Sequence, residues 1–458
     1  MAHSVGTLVI LGASGDLSSR LLLPAIGQLL TQQPQRRLQL IGVGSEKWTD
    51  THWRSVIRSS CETVDAGGAA VDEVCANSTY VSADVTTPEG LGGIFEACKA
   101  TPALYFALPP AVTARACAAL ENIARPPGLT LCLEKPFGTD RVSAEALNRQ
   151  LAKLVPEDRI HRIDHFLGRS TVLNLTGLRF ANSIFEPLWN ADHIERIDIV
   201  YDETLGLEGR ARYYDTAGAL TDMIQSHLLQ VLAVLAMEPP STLSAQDMRE
   251  GKAAVLRAAR VWHDNPQEFS RRARYKAGMI DGRQLPDYVK EAGVDPKRHT
   301  ETLAEITLQI DTWRWAGVPI TLRSGKALAA ARREIVVTFK PARHIPTGLK
   351  GKIQPTKLRI MLGPDAMSLE LNINGPGDPH TIDRTVMTAD FGPGELLAYG
   401  EVIEGILDND PSLSVSARTA VDCWRVVAPV LTAWSKNEVP LQNYQAGSLG
   451  PPSWHAIG

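Results

Sequence analysis

The sequence predicts an α/β domain followed by a larger α+β domain. The chain has 458 residues, which is enough for two or more domains of ordinary size. Over the first 165 residues, short β-branched runs alternate with helical patterns, which is typical of a parallel sheet. From about residue 166 the strand patterns are more widely separated, which favours a mostly antiparallel sheet. We therefore place the domains at residues 1–165 and 166–458.

Each element follows from a local pattern. In the first domain, strands are predicted at 7–11, 37–44, 103–108 and 129–134, with helices at 18–31 and 111–124. In the second domain, strands are predicted at 197–200, 306–310, 320–323, 335–339, 357–361 and 367–373, with helices at 221–237 and 397–407. The polar stretch 271–298 is expected to be a surface excursion, and the Gly-, Pro- and Ser-rich segment 442–458 to be irregular.

Composition excludes several function classes. With 47 Lys and Arg against 51 Asp and Glu, the net charge is -4, which argues against nucleic-acid binding through diffuse attraction. The hydrophobic share of 44% is ordinary for a globular protein, and we expect no apolar stretch near the ~18 residues of a membrane span. The six cysteines contain no CxxC pair, and the N-terminus lacks a signal-peptide pattern. We therefore expect no metal site and a cytoplasmic location.

A short glycine-containing loop follows the first predicted strand. It reads Gly12, Ala13, Ser14, Gly15, Asp16 and Leu17, and it leads into a helical pattern. Glycine at such a place allows backbone N–H groups to approach a phosphate at the positive end of a helix. The spacing is GxxG rather than the complete GxGxxG, so a purely structural turn is the alternative. We predict a Rossmann-like, dinucleotide-binding first domain.

The residues after the second predicted strand bear on the choice of cofactor. They are Ser45, Glu46 and Lys47. An acidic residue there pairs with the 2′-hydroxyl of NAD, whereas an arginine receives the 2′-phosphate of NADP. Both signs of charge are present and no arginine stands at the strand end, so the cofactor is NADP or NAD. A solvated turn residue is an equally good interpretation of Glu46.

Two further strand ends are expected to face the cofactor cleft, because ligands of such sheets bind outside the carboxyl ends of the strands. They carry Tyr105 and Pro109 in one segment and Lys135 in the other. At this position Lys135 is able to contact both cofactor and substrate. The alternative for Lys135 is a lysine that extends from a strand end into solvent.

A cluster of charged and imidazole groups occurs at the predicted domain junction. His165 and Arg169 suit an anion site, and Asp164 suits the orientation of a catalytic histidine, although a structural salt bridge is the alternative. The candidate histidine is His227, since a histidine backed by a carboxylate accepts a hydroxyl proton near neutral pH. Asp222 precedes it by five residues, which is about 140° around an α-helix. A histidine on such an apolar helix is also commonly a core residue.

These segments together resemble the glucose-6-phosphate dehydrogenase family. The matching motifs occur in the family's order across nearly the whole chain. They are GASGDL at Gly12, YFALPP at Tyr105, EKPFG at Glu134, RIDHFLGR at Arg162, LRFANSIFEPLWN at Leu178, EGRARYYD at Glu208, SHLLQ at Ser226, LRSGKAL at Leu322 and IQP at Ile353. Each motif is weak alone, and the ordered set is highly specific.

The resemblance implies the site residues. His227 matches the general base and Asp164 the carboxylate that orients it, so we expect their side chains to face one another. The substrate-binding positions are Lys135, His165, Arg169, Glu203, Asp222, Lys326 and Gln354. The cofactor-binding positions are Gly12, Ala13, Ser14, Gly15, Asp16, Leu17, Ser45, Glu46, Lys47, Asp84, Tyr105, Pro109 and Lys135. The resemblance also implies a homodimer or homotetramer that associates through the second domain's sheet.

The sequence departs from the family pattern at several positions. The family's common YLGK reads Phe166 to Arg169 here, which removes a phenol and replaces a lysine by arginine. The usual asparagine before the catalytic histidine is Ser226. A second basic residue is replaced by Ala331, and the arginine that many members use for the 2′-phosphate aligns with Ser45. We therefore expect altered phosphate binding and a weakened preference for NADP.

Three functional hypotheses follow. The first is oxidation of the C1 hydroxyl of glucose 6-phosphate to the 6-phospho-lactone, with hydride transfer to NADP or NAD, at the entry to the pentose phosphate pathway. The second is the same chemistry on a different aldose or aldose phosphate. The third is a non-catalytic relative that binds a nucleotide or a sugar phosphate, which the presence of His227 and Asp164 disfavours. Nucleic acid and membranes are not expected as partners.

Overall fold

The computed structural model describes residues 5–209, 211–392 and 394–454. The chain forms two compact units, each built from three segments. The first unit comprises Met1–Arg169, Pro240–Ala253 and Gly394–Val421, and the second comprises Ser170–Pro239, Ala254–Pro393 and Asp422–Gly458. The division of the chain at residue 165 stays a prediction. Arg210, within the EGRARYYD motif, lies outside the described residues.

The first unit contains a parallel sheet, as predicted, and this sheet has six strands. Its strands are β1 (Thr7–Leu11), β2 (Gln39–Gly44), β3 (Thr79–Ser82), β4 (Pro102–Phe106), β5 (Thr130–Glu134) and β6 (Ile160–Ile163). Their order in the sheet is β3-β2-β1-β4-β5-β6. The four predicted strands are confirmed, and β3 and β6 were missed. Only one of the four residues of β3 is buried, and His161 and Arg162 interrupt the apolar pattern of β6.

Helices cover both faces of this sheet. They are α1 (Leu23–Gln32), α2 (Asp50–Glu62), α3 (Ala69–Asn77), α4 (Pro88–Ala97), α5 (Pro110–Leu120) and α6 (Arg141–Leu154), with a π-helix at Ser18–Leu22 before α1. Leu8 and Ile10 belong to one apolar cluster and Val9 and Leu11 to another, because successive side chains of a strand point to opposite faces. This burial on both faces explains why β1 is a continuous apolar run.

The second unit is built on a ten-stranded mixed sheet. Its strands are β7 (Ile194–Asp202), β8 (Ala259–Val261), β9 (Ser270–Lys276), β12 (Leu303–Ile310), β13 (Ile320–Gly325), β14 (Arg332–Phe339), β15 (Lys357–Met361), β16 (Ala366–Asn374), β17 (Ile382–Asp390) and β18 (Leu441–Gln445). The two strands β10 (Gly278–Ile280) and β11 (Arg283–Leu285) form a separate hairpin. The pairs β7/β13 and β9/β18 are parallel and the other pairs of the large sheet are antiparallel. The predicted mostly antiparallel sheet is confirmed.

The remaining helices complete the described structure. They are α7 (Ser170–Phe180), α8 (Ala211–Ala219), α9 (Leu229–Ala236), α10 (Ala245–Ala258), α11 (Ala398–Asp408) and α12 (Ala417–Ser435), with a π-helix at Leu220–Leu228 between α8 and α9. Short 3-10 helices occur at Glu157–Arg159, His165–Gly168, Glu186–Leu188, Trp262–Asp264, Tyr288–Lys290, Pro296–Arg298 and Pro411–Leu413. Within the first unit, α11 contributes Ile403 and Leu407 to the core beneath β1 and β2.

Two of the predicted irregular segments contain strands of the large sheet. The expectation of a surface excursion from residue 271 is wrong for 271–276, which lie in β9, and the tail was expected to be irregular where β18 runs. The arginines of β9 make its sequence look too polar for a strand of this sheet. Their side chains pack on aromatic rings: the guanidinium carbon of Arg272 lies 5.7 Å from the ring of Trp434, and that of Arg274 lies 5.9 Å from the ring of Tyr288. Aromatic faces thus accommodate side chains that look incompatible with a buried strand.

One helical segment departs from the expectation about membrane spans. Within the described residues, the helical segment Ala211–Ala236, which is kinked at Gly218 (φ +70°), is long and apolar enough to cross a membrane by length and composition. The expectation that no stretch reaches this length is therefore wrong. Of its most apolar 18-residue window, 83% is buried inside the structure, which is the behaviour of a core helix.

Candidate active site

The glycine loop is held by backbone contacts at the carboxyl ends of neighbouring strands. The N–H groups of Gly12 and Ala13 donate to Val43 O at 2.8 and 2.9 Å. Gly12 has φ +88°, and a Cβ there would lie 2.3 Å from Ala107 O, so the position requires glycine. Ala13 is buried, whereas Gly15 and Asp16 are exposed at the start of the following helix. The N–H of Gly15 also donates within the loop, to Gly12 O at 3.0 Å, so it is the N-terminus of the following helix that suits a phosphate.

The segment after β2 approaches this loop through one side chain. Ser45, Glu46 and Lys47 are all exposed, and the hydroxyl of Ser14 donates to Glu46 Oε2 at 2.7 Å. This hydrogen bond holds the pKa of the Glu46 carboxyl below its ordinary value. The two predicted cofactor segments are thus joined by a carboxylate.

Asp84, a predicted cofactor residue, is engaged in the turn after β3. Its Oδ1 accepts from the N–H of Thr86 at 2.9 Å and from the Thr86 hydroxyl at 2.7 Å, and these bonds lower the pKa of Asp84. Its side chain is exposed beside the start of α4. The contacts assign Asp84 a turn-forming role, and a contact with the cofactor stays a prediction.

The end of β4 differs from the expectation for Tyr105. Its side chain has no exposed surface, and its hydroxyl donates to Glu134 Oε1 at 2.6 Å. This burial argues against a direct contact with the cofactor, because the ring points into the core of the first unit. Pro109, in contrast, is exposed immediately before α5.

Glu134 is the centre of a carboxyl and phenol network that sequence reasoning missed. Besides Tyr105, the side chain of Tyr399 hydrogen-bonds to it, and loss of solvent raises its pKa to about 7 despite these bonds and the adjacent Lys135. Tyr399 is on α11, more than 260 residues further along the chain. No local sequence pattern predicts the hydrogen bond between Tyr399 and Glu134, because it forms only when α11 packs beside the parallel sheet.

Lys135 and Asp164 follow adjacent strands. Glu134 of β5 is paired in register with Ile163 of β6, and both strands run in the same direction. Lys135, which follows β5, and Asp164, which follows β6, therefore come at the same end of two neighbouring strands. Asp164 is 1% exposed, and its Oδ1 accepts from the N–H of Phe166 at 3.0 Å. That bond starts the short helix His165–Gly168.

Aromatic rings fix the predicted anion-binding side chains. The ring of His165 stacks on Tyr399 with centroids 5.2 Å apart and an interplanar angle of 14°. The guanidinium carbon of Arg169 lies 4.3 Å from the centroid of the buried Phe166 ring. The departures at positions 166 and 169 therefore form a cation–π pair, in which the flat guanidinium lies over an apolar ring.

In the second unit, His227 lies on a widened helical turn. The π-helix Leu220–Leu228 contains both Asp222 and His227, and His227 is 2% exposed. Ser226 Oγ donates to Thr221 O at 2.9 Å, five residues earlier, as the i to i+5 spacing of a π-helix favours. The α-helical angle of about 140° between Asp222 and His227 is therefore wrong, because a π-helix needs more residues per turn.

Glu203 and Lys326, two of the predicted substrate-binding residues, form an ion pair. Lys326 Nζ lies 2.7 Å from Glu203 Oε2, and each side chain is 17% exposed. They directly follow β7 and β13, a parallel pair in which Gly325 stands opposite Asp202. Lys326 Nζ also lies 5.3 Å from the ring centroid of Tyr214, a contact that sequence reasoning missed.

The two other predicted sugar-contacting residues of this unit have separate partners. Asp222 Oδ1 accepts from the hydroxyl of Tyr213 at 3.3 Å. Gln354 is exposed before β15, and its backbone exchanges hydrogen bonds with the Asn372 side chain at 3.2 and 2.8 Å. These contacts hold each residue locally, and their convergence on one ligand stays a prediction.

Both halves of the chain match models of one family. Residues 9–174 match the glucose-6-phosphate dehydrogenase NAD binding domain, and residues 176–457 match the glucose-6-phosphate dehydrogenase C-terminal domain. The chain belongs to the glucose-6-phosphate dehydrogenase family. The resemblance predicted from the ordered motifs is confirmed.

Relatives and solved structures of the glucose-6-phosphate dehydrogenase family cover nearly the whole chain. The glucose-6-phosphate 1-dehydrogenase of Gluconobacter oxydans (strain 621H) is 36% identical over 467 residues, and that of Bacillus subtilis (strain 168) is 35% identical over 466 residues. Each alignment covers 97% of this chain and 94% of the relative. A structure of glucose-6-phosphate dehydrogenase in complex with its substrate glucose-6-phosphate superposes with a TM-score of 0.86 at 30% identity, covering 99% of this chain and 97% of the other. The Mycobacterium avium enzyme gives a TM-score of 0.84 at 31% identity, covering 98% and 95%.

Proposed function

We propose that this chain oxidises the C1 hydroxyl of β-D-glucose 6-phosphate to 6-phospho-D-glucono-1,5-lactone, with transfer of the hydride to NADP or NAD. The observation that carries the proposal is the match of both halves of the chain to one family, and the assignment of catalytic roles to Asp164 and His227 is part of the proposal. In a cell this reaction is the entry step of the pentose phosphate pathway.

The dinucleotide would be held by the first unit. Gly12 lets the loop pack closely against Ala107 O, and the exposed Gly15 and Asp16 leave an open backbone surface at the helix start, which suits a pyrophosphate. The nicotinamide, when bound, supplies the hydride acceptor. We assign the loop residues 12–17 to the phosphates and Lys135, at the end of β5, to the region between cofactor and sugar.

His227 is assigned the role of general base. As the C1 hydrogen leaves with its electron pair, the hydroxyl proton must leave as well, and a neutral imidazole is suited to accept it at Nε2 or Nδ1. Asp164 is assigned to the other side of that imidazole, where a carboxylate stabilises the imidazolium that forms. The hydrogen bond between the two side chains is part of the proposal.

The sugar phosphate is assigned to the charged and polar side chains that the sequence predicts as substrate-binding. His165 and Arg169 would bind the phosphate. The His165 ring is held by stacking on Tyr399, and the Arg169 guanidinium by packing over the Phe166 ring. The hydroxyls are assigned to Lys135, Glu203, Asp222, Lys326 and Gln354. Such bonds would make the site selective, since an analogue that lacks one hydroxyl leaves a half-buried polar group without its partner.

The experiment is a turnover assay with the purified protein, glucose 6-phosphate and either cofactor. Reduced nicotinamide is followed by its absorbance, and the lactone by the acid that it forms on hydrolysis. Turnover with at least one cofactor is expected. If neither cofactor is reduced while the protein still binds one of them, measured as ligand-induced thermal stabilisation, the non-catalytic hypothesis replaces the proposal.

A different aldose or aldose phosphate is the second candidate. The observation that favours it is the cation–π pair of Phe166 and Arg169, which directs the guanidinium over an apolar ring. The discriminating measurement is kcat/KM for glucose against glucose 6-phosphate. A preference for the unphosphorylated sugar would select this candidate.

We further propose that the protein is a homodimer or homotetramer in the cytoplasm. The support is the long edge strand β17, which carries the exposed apolar side chains Val386 and Met387. Sedimentation of the wild type and of Val386→Asp tests this assembly, and a monomeric wild type would contradict it. Cell fractionation tests the location, for which the six free cysteines are support.

A further inference from the structure

The carboxylate of Glu46 lies where the second strand of the parallel sheet ends beside the glycine loop. The bond from Ser14 Oγ to Glu46 Oε2, 2.7 Å long, joins the two segments. An ideal Cβ on Gly44 would lie 2.8 Å from the same Oε2 and 3.4 Å from Ser14 Oγ. The carboxylate therefore lies directly against the backbone at the strand end, rather than extending away from it.

Aromatic side chains back this position. The same Cβ on Gly44 would lie 2.4 Å from the Tyr80 hydroxyl, and the Tyr80 ring lies 5.4 Å from that of Trp48 at an interplanar angle of 34°. Tyr80 is buried and Trp48 half-buried. Their packing limits the space on one side of Glu46, while the carboxylate itself remains exposed to a ligand.

The chemistry of this position favours a diol over a phosphate. Glu46 is ionised at neutral pH, since the ordinary pKa of a glutamate is already about 4.3, and the Ser14 hydrogen bond lowers that pKa further. An ionised carboxylate only accepts hydrogen bonds, so it is complementary to the 2′- and 3′-hydroxyls of an adenosine ribose. A 2′-phosphate offers acceptor oxygens and negative charge, which an adjacent carboxylate repels.

We propose that Glu46, held by Ser14, makes this protein select NAD(H) against NADP(H). Glu46 is a specificity-determining residue in this proposal, and Ser14 positions it. The inference rests on the proposed function only for the presence of a nicotinamide dinucleotide in the first unit. The hydrogen bond from Ser14 to Glu46 thus favours NAD(H), whereas the residue types at positions 45–47 alone leave the cofactor open.

The test measures equilibrium binding of NADH and NADPH to the full-length protein by nicotinamide fluorescence, without sugar phosphate. The wild type is expected to bind NADH more tightly by roughly 10-fold or more at low salt. Glu46→Gln keeps the shape and removes the charge, so it should reduce that ratio at least about 5-fold, chiefly through tighter NADPH binding. Ser14→Ala should reduce it less. Raising the salt concentration should also reduce the ratio, since charges exposed to solvent are screened.

Matched variants separate this effect from others. Glu62→Gln makes the same charge change at an exposed position on α2 and should leave the ratio unchanged. Equal or tighter binding of NADPH by the wild type would overturn the proposal, as would an unchanged ratio in Glu46→Gln. A ratio that follows Lys47→Gln rather than Glu46→Gln would also overturn it. Because no sugar is present, selective NADH binding without turnover would contradict the proposed function and leave this inference intact.

Discussion

The two sheets bring their predicted site residues together in different ways. In the first unit, the loop at Gly12 and the residues Glu46, Pro109, Lys135 and Asp164 come just after β1, β2, β4, β5 and β6, which all run in one direction. In the mixed sheet of the second unit, Glu203 and Lys326 meet because β7 and β13 form one of its two parallel pairs. When neighbouring strands are parallel, the residues that follow their carboxyl ends lie at the same edge of the sheet. Where strands alternate in direction, the site needs residues from elsewhere, such as His227 on the π-helix.

The largest effect expected is that of the helical histidine. His227→Ala should lower kcat by about 10²–10⁴-fold with glucose 6-phosphate, because the hydroxyl proton then lacks its acceptor. Steady-state kinetics checks this, with His263→Ala, at an exposed turn, as the control expected to match the wild type. Wild-type kcat in His227→Ala would show that the second unit contributes binding only.

Asp164→Asn tests whether the first unit positions that histidine. The neutral amide should lower kcat and shift the acidic limb of the kcat/KM profile to lower pH, since the imidazolium loses its stabilising charge. A purely structural role would change stability without moving that limb. This variant therefore sharpens the contrast between a strand-end carboxylate and a base supplied by a helix.

Lys326→Met removes the cation from the parallel pair of the second unit. Because charge-assisted bonds contribute more than neutral ones, KM for the sugar phosphate should rise by roughly 10–100-fold. The matched control is Lys350→Met. It breaks an ion pair whose Nζ and Asp378 Oδ2 are 2.9 Å apart, but the Lys350 side chain is 69% exposed, so little effect is expected. Equal KM values in both variants would contradict the assignment of Lys326 to the substrate.

Gly12→Ala tests the backbone-built loop of the first unit. The methyl group would meet Ala107 O at 2.3 Å in a residue at φ +88°, so a loss of about 1–3 kcal/mol in unfolding free energy is expected, with weaker dinucleotide binding. Denaturant unfolding and fluorescence titration measure the two effects. Gly67→Ala, where no heavy atom lies within 4 Å of the added Cβ, is the control. A variant as stable as the wild type would show that the loop adapts.

The smallest effect concerns Glu134. Its pKa is raised from 4.5 to about 7 in the folded protein, so the folded state binds more protons than the unfolded state in that range and loses stability as the pH rises. Glu134→Gln removes this loss and should be more stable than the wild type by about 1–2 kcal/mol at pH 8. The difference should shrink towards pH 4.5. Thermal unfolding at both pH values checks the sign, with the exposed Glu268→Gln as control.

Much of the first unit was predictable because its signals are local. The run at 7–11 was predicted to its exact bounds, since strands buried on both faces are continuously apolar. Strand β9 was not, because its arginines pack on the aromatic residues Trp434 and Tyr288 from distant segments. The widened turn around His227 was also missed, since the apolar spacing of residues 221–237 fits an α-helix as well.

The sequence by itself determined the family, the two kinds of sheet and most of the candidate residues, because strand patterns and ordered motifs depend on neighbours along the chain. Only the tertiary structure decided the partners of these residues. It buried Tyr105 against Glu134, brought Tyr399 onto His165 and joined Ser14 to Glu46. Each of these contacts forms between segments 29 or more positions apart, and such contacts depend on which strands pair and how helices pack over them.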